Sequence, residues 1–301
     1  MTAPLLALDI GGTRLKAVRL DSDGTFAARV EGPTLAHEGA LAVLARLGAL
    51  VRPLFAPDCP PAAIGVASAG QVDPGTGRVV DATPNLPGFS GLDLGPAIRG
   101  WFHPTPWVAV ENDVNAAAWA ELAATPDLDP LLVLALGTGV GGAYAVRGQV
   151  VSGAHHFAGE VGHLLAYPGG RACNCGQAGC WEQYVSGPGL TATARAFRPE
   201  TATAAEVFQA HRRGEAWAEA ALDRFAHDLA LGLTTLTNIF DPAAVILTGG
   251  LAETAPHWQA GLDRYLRRLC RKPCPCRVSR FGGDAPLLGA AALARRALTA
   301  Q

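Results

Sequence analysis

Neither sign of charge dominates this chain of 301 residues: 24 Lys and Arg stand against 26 Asp and Glu, a net charge of −2. That near balance leaves no electrostatic footprint for nucleic acid. No apolar run approaches the length needed to span a bilayer. The opening MTAPLLALDIGG has no basic stretch ahead of its apolar run, which ends at Asp9, so it does not read as a signal peptide. Low-complexity tails are missing, and no internal repeat is visible beyond two similar glycine turns. No GKS or GKT follows either turn, which excludes a P-loop. Neither turn lies in a GxGxxG strand-to-helix unit, which argues against a dinucleotide fold.

What is present is a large apolar interior. The chain is 49% hydrophobic and 17% charged, ample for a packed core and unlike a disordered segment. Its length predicts about two domains. Of seven cysteines, Cys59, Cys270, Cys274 and Cys276 belong to no obvious framework. Unpaired thiols beside a zinc-like cluster suit a reducing compartment, so a cytoplasmic location is expected.

Pro4 to Ile10 reads as a buried strand and Leu15 to Leu20 as a second. The turn signal Asp23-Gly24 leads into a third, Thr25 to Val30. Ala36 to Phe55 reads as a helix stopped at Pro57. Ala63 to Ala67, Trp107 to Val110, Leu131 to Leu136 and Ala244 to Leu247 read as further strands. Helices are expected at about 114–123, across 187–240 up to the break at Pro242, and at 289–300. Strands alternating with helices predict an α/β architecture, while the opening antiparallel hairpin excludes a purely parallel start. A boundary is expected near Glu111, dividing 1–112 plus 287–301 from 113–286.

Residues 160–182, EVGHLLAYPGGRACNCGQAGCWE, place His163, Cys173, Cys175 and Cys180 within eighteen residues. Four nitrogen and sulfur ligands are what a closed, structural Zn²⁺ site takes, with no open position for catalysis. Glu160 precedes His163 by one helical turn and Glu182 follows Cys180 by two residues, so the knot reads as scaffolding for a polar ligand. Cys270, Cys274 and Cys276 offer C-x₃-C-x-C but are expected to bind no metal, because Pro273 and Pro275 stiffen the segment and no fourth ligand is near in sequence. The turns Gly11-Gly12-Thr13 and Gly137–Gly142 each follow a buried strand and carry a threonine, which fits a phosphate clamp; Arg14 and Lys16 add charge. Asp113, between a strand and a helix, reads either as a helix N-cap or as a general base. Asn85, in a proline-flanked loop, is either a turn residue or an amide aimed at a hydroxylated ligand.

These segments together resemble the ROK sugar kinases, of the actin-like ATPase superfamily, over essentially the whole length. LDIGGT and LALGTGVGG resemble the two phosphate motifs, ENDVNAAAWAE the catalytic segment, GEVGH with CNCGQAGCWE the sugar-and-zinc signature, and VILTGG the adenosine turn. The resemblance implies a two-lobed, ribonuclease H-like fold with a structural zinc knot. It implies an ATP-dependent hexose kinase in which Asp113 takes the proton from the attacking hydroxyl, glucose at its 6-hydroxyl being the expected acceptor. N-acetylmannosamine, N-acetylglucosamine, fructose and allose are the alternatives, with a catalytically silent sugar sensor as a reading of another class. Asn85, Asn112, Asp113, Glu160, His163 and Glu182 would hold the sugar; Asp9 would face Mg²⁺; Gly11, Gly12, Thr13, Gly137, Thr138, Gly139 and Gly141 would cradle phosphates; Gly249 and Gly250 would face the nucleoside. Zn²⁺ would sit on His163, Cys173, Cys175 and Cys180, and a homodimer is implied. Repressors of the family carry a helix-turn-helix domain before the first phosphate motif; with DIGGT beginning at residue 9, an enzyme is expected instead. Arg14 replaces the usual lysine, Phe89 a frequent tryptophan, and Trp181 a smaller aliphatic residue.

Overall fold

A computed structural model describes residues 4–21, 25–56 and 58–299. The turn expected at Asp23-Gly24, the expected stop at Pro57 and Ala300, where the final helix was expected to end, lie outside them. The chain divides into two compact units: Met1–Pro126 with Ser152–Ala158 and Asp284–Gln301, and Asp127–Val151 with Gly159–Gly283. The junction at Glu111 therefore lies inside the first unit.

In the first unit the strands are Leu5–Ile10 (β1), Arg14–Leu20 (β2), Phe26–Pro33 (β3), Ala63–Ser68 (β4), the short Gln71–Asp73 (β5) and Arg78–Asp81 (β6), and Trp107–Asn112 (β7). Five form one sheet in the order β3-β2-β1-β4-β7, while β5 and β6 pair with each other. β1, β2 and β3 run antiparallel, and β4 and β7 run parallel to β1. β1 and β4 are buried at every position because helices cover both faces. On one face Val43, Leu44 and Leu47 of the helix Ala40–Val51 (α1) share a core with Leu6, Leu8 and Ile10. Leu94–Arg99 (α2) adds Ile98 to that core. The helices Asp113–Ala124 (α3) and Ala285–Thr299, the last of the chain, pack on each other, and the latter also lies across β1, β4 and β7.

α1 is shorter than the expected 36–55. Gly39, at φ 88°, separates it from a 3₁₀ turn at Ala36–Glu38, and a second 3₁₀ turn holds Pro53 at its other end.

The second unit repeats the plan. Its strands are Leu131–Leu136 (β8), Val140–Val146 (β9), Gln149–Val150 (β10), Ala244–Thr248 (β11) and Cys276–Val278 (β12), in the order β10-β9-β8-β11-β12. Again the first three are antiparallel and the last two parallel to the central one. The same topology thus occurs twice, although only the two glycine turns betray it in the sequence. The helices are Glu182–Val185 (α4), Gly187–Ala194 (α5), Ala204–Arg212 (α6), Ala216–Phe240 (α7) and Gln259–Leu269 (α8), so the closing helix at 285–299 is α9. Phe225, Leu229 and Leu233 of α7 join Leu132, Leu134 and Leu136 of β8 in the core. α7 ends at Asp241 in the left-handed conformation with Pro242 next, the stop the sequence predicts.

Among the described residues no helix is long and apolar enough to cross a membrane.

Candidate active site and metal centre

Asp9, near the end of β1, is buried, and its carboxylate lies 3.6 Å from Lys16 Nζ on the paired strand β2. Burial is the main reason that its pKa is pushed up to about 7; the Lys16 ammonium opposes this, and the negative charges of Asp113 and Asp284 add to it. Lys16 also reaches Asp284 at 3.2 Å, Asp284 takes Arg29 at 2.7 Å, and Glu31 takes Arg14 at 2.7 Å. Asp284 carries no local signal in the sequence, being 268 positions from Lys16.

After β1 the chain turns through Gly11-Gly12-Thr13. The Gly11 N–H donates to Arg14 O at 3.1 Å and closes the turn. Thr34 braces it, its hydroxyl donating to Gly11 O at 2.6 Å and its N–H to Thr13 O at 2.9 Å. A Cβ at Gly12 would fall 2.9 Å from Asn85 Cβ, so the turn lies directly against the exposed Asn85 loop. Glycine at 12 is a steric requirement of that approach.

Asp113 is the first residue of α3, immediately beyond β7. The helix cap is its neighbour: Asn112 Oδ1 accepts from the N–H groups of Val114 and Asn115, at 2.9 and 3.0 Å. The capping alternative for Asp113 is thereby answered, since Asn112 holds that position. Asn112 also donates through Nδ2 to Gly70 O at 2.9 Å, which leaves one amide hydrogen for anything else. Beneath them the buried Glu111 accepts from Asn115 Nδ2 and from Asn112 N–H, both at 3.0 Å, and burial raises its pKa. Asp113 is half-buried on this braced junction.

In the second unit the four expected ligands do gather: one nitrogen or sulfur from each of His163, Cys173, Cys175 and Cys180 lies within 4.8 Å of all the others. Cys173 Sγ is 3.7 Å from His163 Nδ1, and Cys175 Sγ is 3.6 Å from Cys180 Sγ. A tetrahedron with zinc–sulfur bonds of about 2.3 Å has edges of about 3.8 Å, so the set fits Zn²⁺. The segment is built from tight turns, with Cys173 N–H donating to Gln177 O and Gly176 N–H to Cys173 O. Burial pushes the Cys180 thiol up to about 12, a shift that a bound cation would reverse. With Nδ1 turned to the sulfurs, His163 Nε2 points toward Glu160, 3.7 Å from its carboxylate.

The second glycine turn is shorter than expected. Val140 pairs with Leu136 and Gly141 with Ala135, so Gly141 and Gly142 belong to β9 and the turn proper is Gly137-Thr138-Gly139. Sequence reasoning took the run of glycines as one loop; strand pairing absorbs half of it. Glu182, first residue of α4, accepts from Val140 N–H at 2.8 Å, and Gly187 N–H donates to Gly137 O at 2.8 Å. Gly249 and Gly250 follow β11, the neighbour of β8, and Leu251 N–H donates to Leu136 O at 3.0 Å. The two glycine segments of this unit therefore leave adjacent strand ends.

Trp181 is fully buried. Its indole N–H donates to Asp228 O at 2.7 Å, and it lies so close to α7 that a Cβ at Gly232 would meet its ring at 2.1 Å. Gly232 thus makes room for the larger residue. The buried Asp228 carboxylate accepts from Tyr167 Oη at 2.7 Å and Arg224 Nε at 2.9 Å, tying the metal segment to α7. An aspartate inside an apolar helical run was a signal available in the sequence and not used.

The ROK family profile matches residues 5–297. The chain belongs to the ROK family. It is 34% identical over 295 residues to the N-acetylmannosamine kinase of Escherichia coli O157:H7, covering 96% of this chain and 98% of that one. The ROK hexokinase of Thermus thermophilus superposes with a TM-score of 0.85 at 31% identity, over 99% of this chain and 100% of the other. A ROK family glucokinase of Streptomyces griseus, in complex with glucose and AMPPNP, superposes at 0.81 with 29% identity, over 98% and 100%. The α/β fold of two five-stranded sheets is that of ROK proteins, with the actin-like ATPase plan.

Proposed function

We propose that this protein is an ATP-dependent sugar kinase in which Asp113 takes the proton from the attacking hydroxyl. The observation that carries this reading is the placement of Asp113: a half-buried carboxylate on a capped helix start, near enough for its negative charge to raise the pKa of the buried Asp9 beside the first glycine turn. Phosphoryl transfer asks mainly for positioning and charge neutralisation. Gly12 and Thr13, with Thr138 and Gly139 of the second turn, provide amides for phosphate, while the N–H groups of Gly11 and Gly137 close their turns on Arg14 O and Gly139 O; Gly249 and Gly250 provide a seat for the nucleoside. Mg²⁺, when bound with ATP, supplies neutralisation, and Asp9 is the residue that would face it through water. A buried carboxyl that feels the negative charges of Asp113 and Asp284, with the Lys16 ammonium 3.6 Å away, fits a cation. Zinc, when bound by His163, Cys173, Cys175 and Cys180, supplies rigidity. Asn85, Asn112, Glu160, His163 and Glu182 are assigned to the sugar hydroxyls.

N-acetylmannosamine, one of the alternatives the sequence left open, is the acceptor supported by the relatives at 34% identity. Glucose, the first expectation, is supported by the Streptomyces griseus glucokinase with glucose bound. A panel of both sugars with N-acetylglucosamine, fructose and allose, read by coupled ADP release, decides between them. The reading expects ADP release with at least one sugar; none with any of them would sink it.

A further inference from the structure

Glu182 was expected only to hold sugar, yet one of its carboxylate oxygens is engaged elsewhere. Oε2 accepts from Val140 N–H at 2.8 Å, immediately after the turn at Gly137–Gly139. Gly139 is part of the same fit: a Cβ there would fall 2.6 Å from Oε2. Two residues before Glu182 stands Cys180, one of the four gathered ligands, and five residues after it Gly187 N–H donates to Gly137 O. The stretch Cys180–Gly187 therefore grips the glycine turn at both ends, once through a carboxylate and once through the backbone. Among the described residues Oε1 has only a long 3.5 Å contact from Gln183 Nε2, which leaves it able to meet a ligand.

We propose that Glu182 is a positioning residue for the donor nucleotide. Through Val140 it holds the Gly137–Gly139 turn in the shape that receives phosphate, in addition to any contact with sugar. The inference rests on the kinase reading above, because it takes this turn as a phosphate seat. A carboxylate accepting a backbone N–H makes a charge-assisted bond, roughly twice as strong as a neutral one. Glutamine has the same reach and keeps a carbonyl acceptor, whereas alanine removes it and aspartate is one methylene too short.

The test compares Glu182→Gln, Glu182→Ala and Gly139→Ala. AMPPNP binding is measured calorimetrically without sugar, and amide exchange of residues 137–142 by mass spectrometry. Glu182→Ala should weaken AMPPNP about tenfold, the scale of losing one such bond, and accelerate exchange at 137–142 with metal content unchanged. Glu182→Gln should restore both to within about twofold while still weakening sugar. Gly139→Ala, which displaces the carboxylate from the other side, should reproduce the nucleotide loss with Glu182 intact. Unchanged exchange in Glu182→Ala would overturn the proposal, and so would faster exchange with native AMPPNP affinity. Should the unsubstituted protein bind neither AMPPNP nor any sugar, the kinase reading falls with the nucleotide role, and the exchange data report separately whether Glu182 holds the turn.

Discussion

Two carboxylates in the first unit are set apart by their surroundings. Asp113 is half-buried on a helix start, so Asp113→Asn should leave the fold and sugar binding intact while lowering turnover by about 10² or more, the scale of losing a general base. Coupled ADP release alongside sugar calorimetry checks this, and near-native turnover would remove the assignment. Asp9 carries a different prediction. Its pKa of about 7 against an ordinary 3.8 means that the folded chain keeps a proton which the unfolded chain loses between those values. The unfolded state binds fewer protons there, so this contribution to stability is complete below about pH 4 and declines as pH rises to 7. Asp9→Asn, always neutral, should remove that decline and stabilise the metal-free protein at pH 8 by on the order of 2–4 kcal/mol, while lowering activity. Urea titrations at pH 5 and pH 8 give the comparison; an identical pH slope in both proteins would contradict it.

At the level of elements, the metal segment and α7 act together. Cys175→Ser should lower bound zinc from about one per chain and raise amide exchange across 164–183 without unfolding the sheets. Structural zinc in small peptides is worth on the order of 10 kcal/mol, of which a domain with its own core loses a local part. Sugar affinity should fall further than nucleotide affinity, because Glu160 and His163 depend on the knot along with Glu182. Metal analysis also bears on Cys270, Cys274 and Cys276. Cys270 Sγ lies 3.3 Å from Thr234 Oγ1, and Thr237 Oγ1 lies 3.2 Å from Cys274 Sγ, so two of these thiols have hydroxyl neighbours. Two zinc ions per chain would contradict the expectation that they bind none. On α7, Gly232→Ala brings a methyl into the Trp181 ring. Helix propensity would gain about 1 kcal/mol, but overpacking of about 1–3 kcal/mol or more wins, so Tm should fall; Trp181→Leu in the same chain should recover part of it.

Across the whole molecule, most buried strands and the gathering of His163, Cys173, Cys175 and Cys180 were legible because their signals are local. LLALDI and LLVLAL are apolar runs of strand length, and four ligands within eighteen residues need no long-range knowledge. Other features were hidden for physical reasons. β9 was missed because two glycines interrupt its side-chain pattern, and its identity comes from pairing with β8. α8 was missed although Leu262 and Leu266 give it a buried stripe at helical spacing. The duplicated sheet topology leaves almost no trace, since hydrogen-bond order constrains strand position far more than residue identity. The partners of Lys16 and of Glu182 are likewise long-range, 268 and 42 positions away for Asp284 and Val140.

α9 has a bearing on how the molecule is made. It covers β1, β4 and β7 of a sheet whose strands are all synthesised before residue 113, yet it leaves the ribosome after every strand and helix of the second unit. During translation the first sheet must wait, with one apolar face uncovered, while the whole second unit emerges. The second unit's strands and helices all lie between Leu131 and Val278, so it can finish first. A chain ended before Asp284 should therefore give a protease-resistant fragment from the second unit and none from the first. Limited trypsin digestion followed by mass spectrometry reads that order directly; protection of residues 4–112 in the shortened chain would show that the first sheet closes without its final helix.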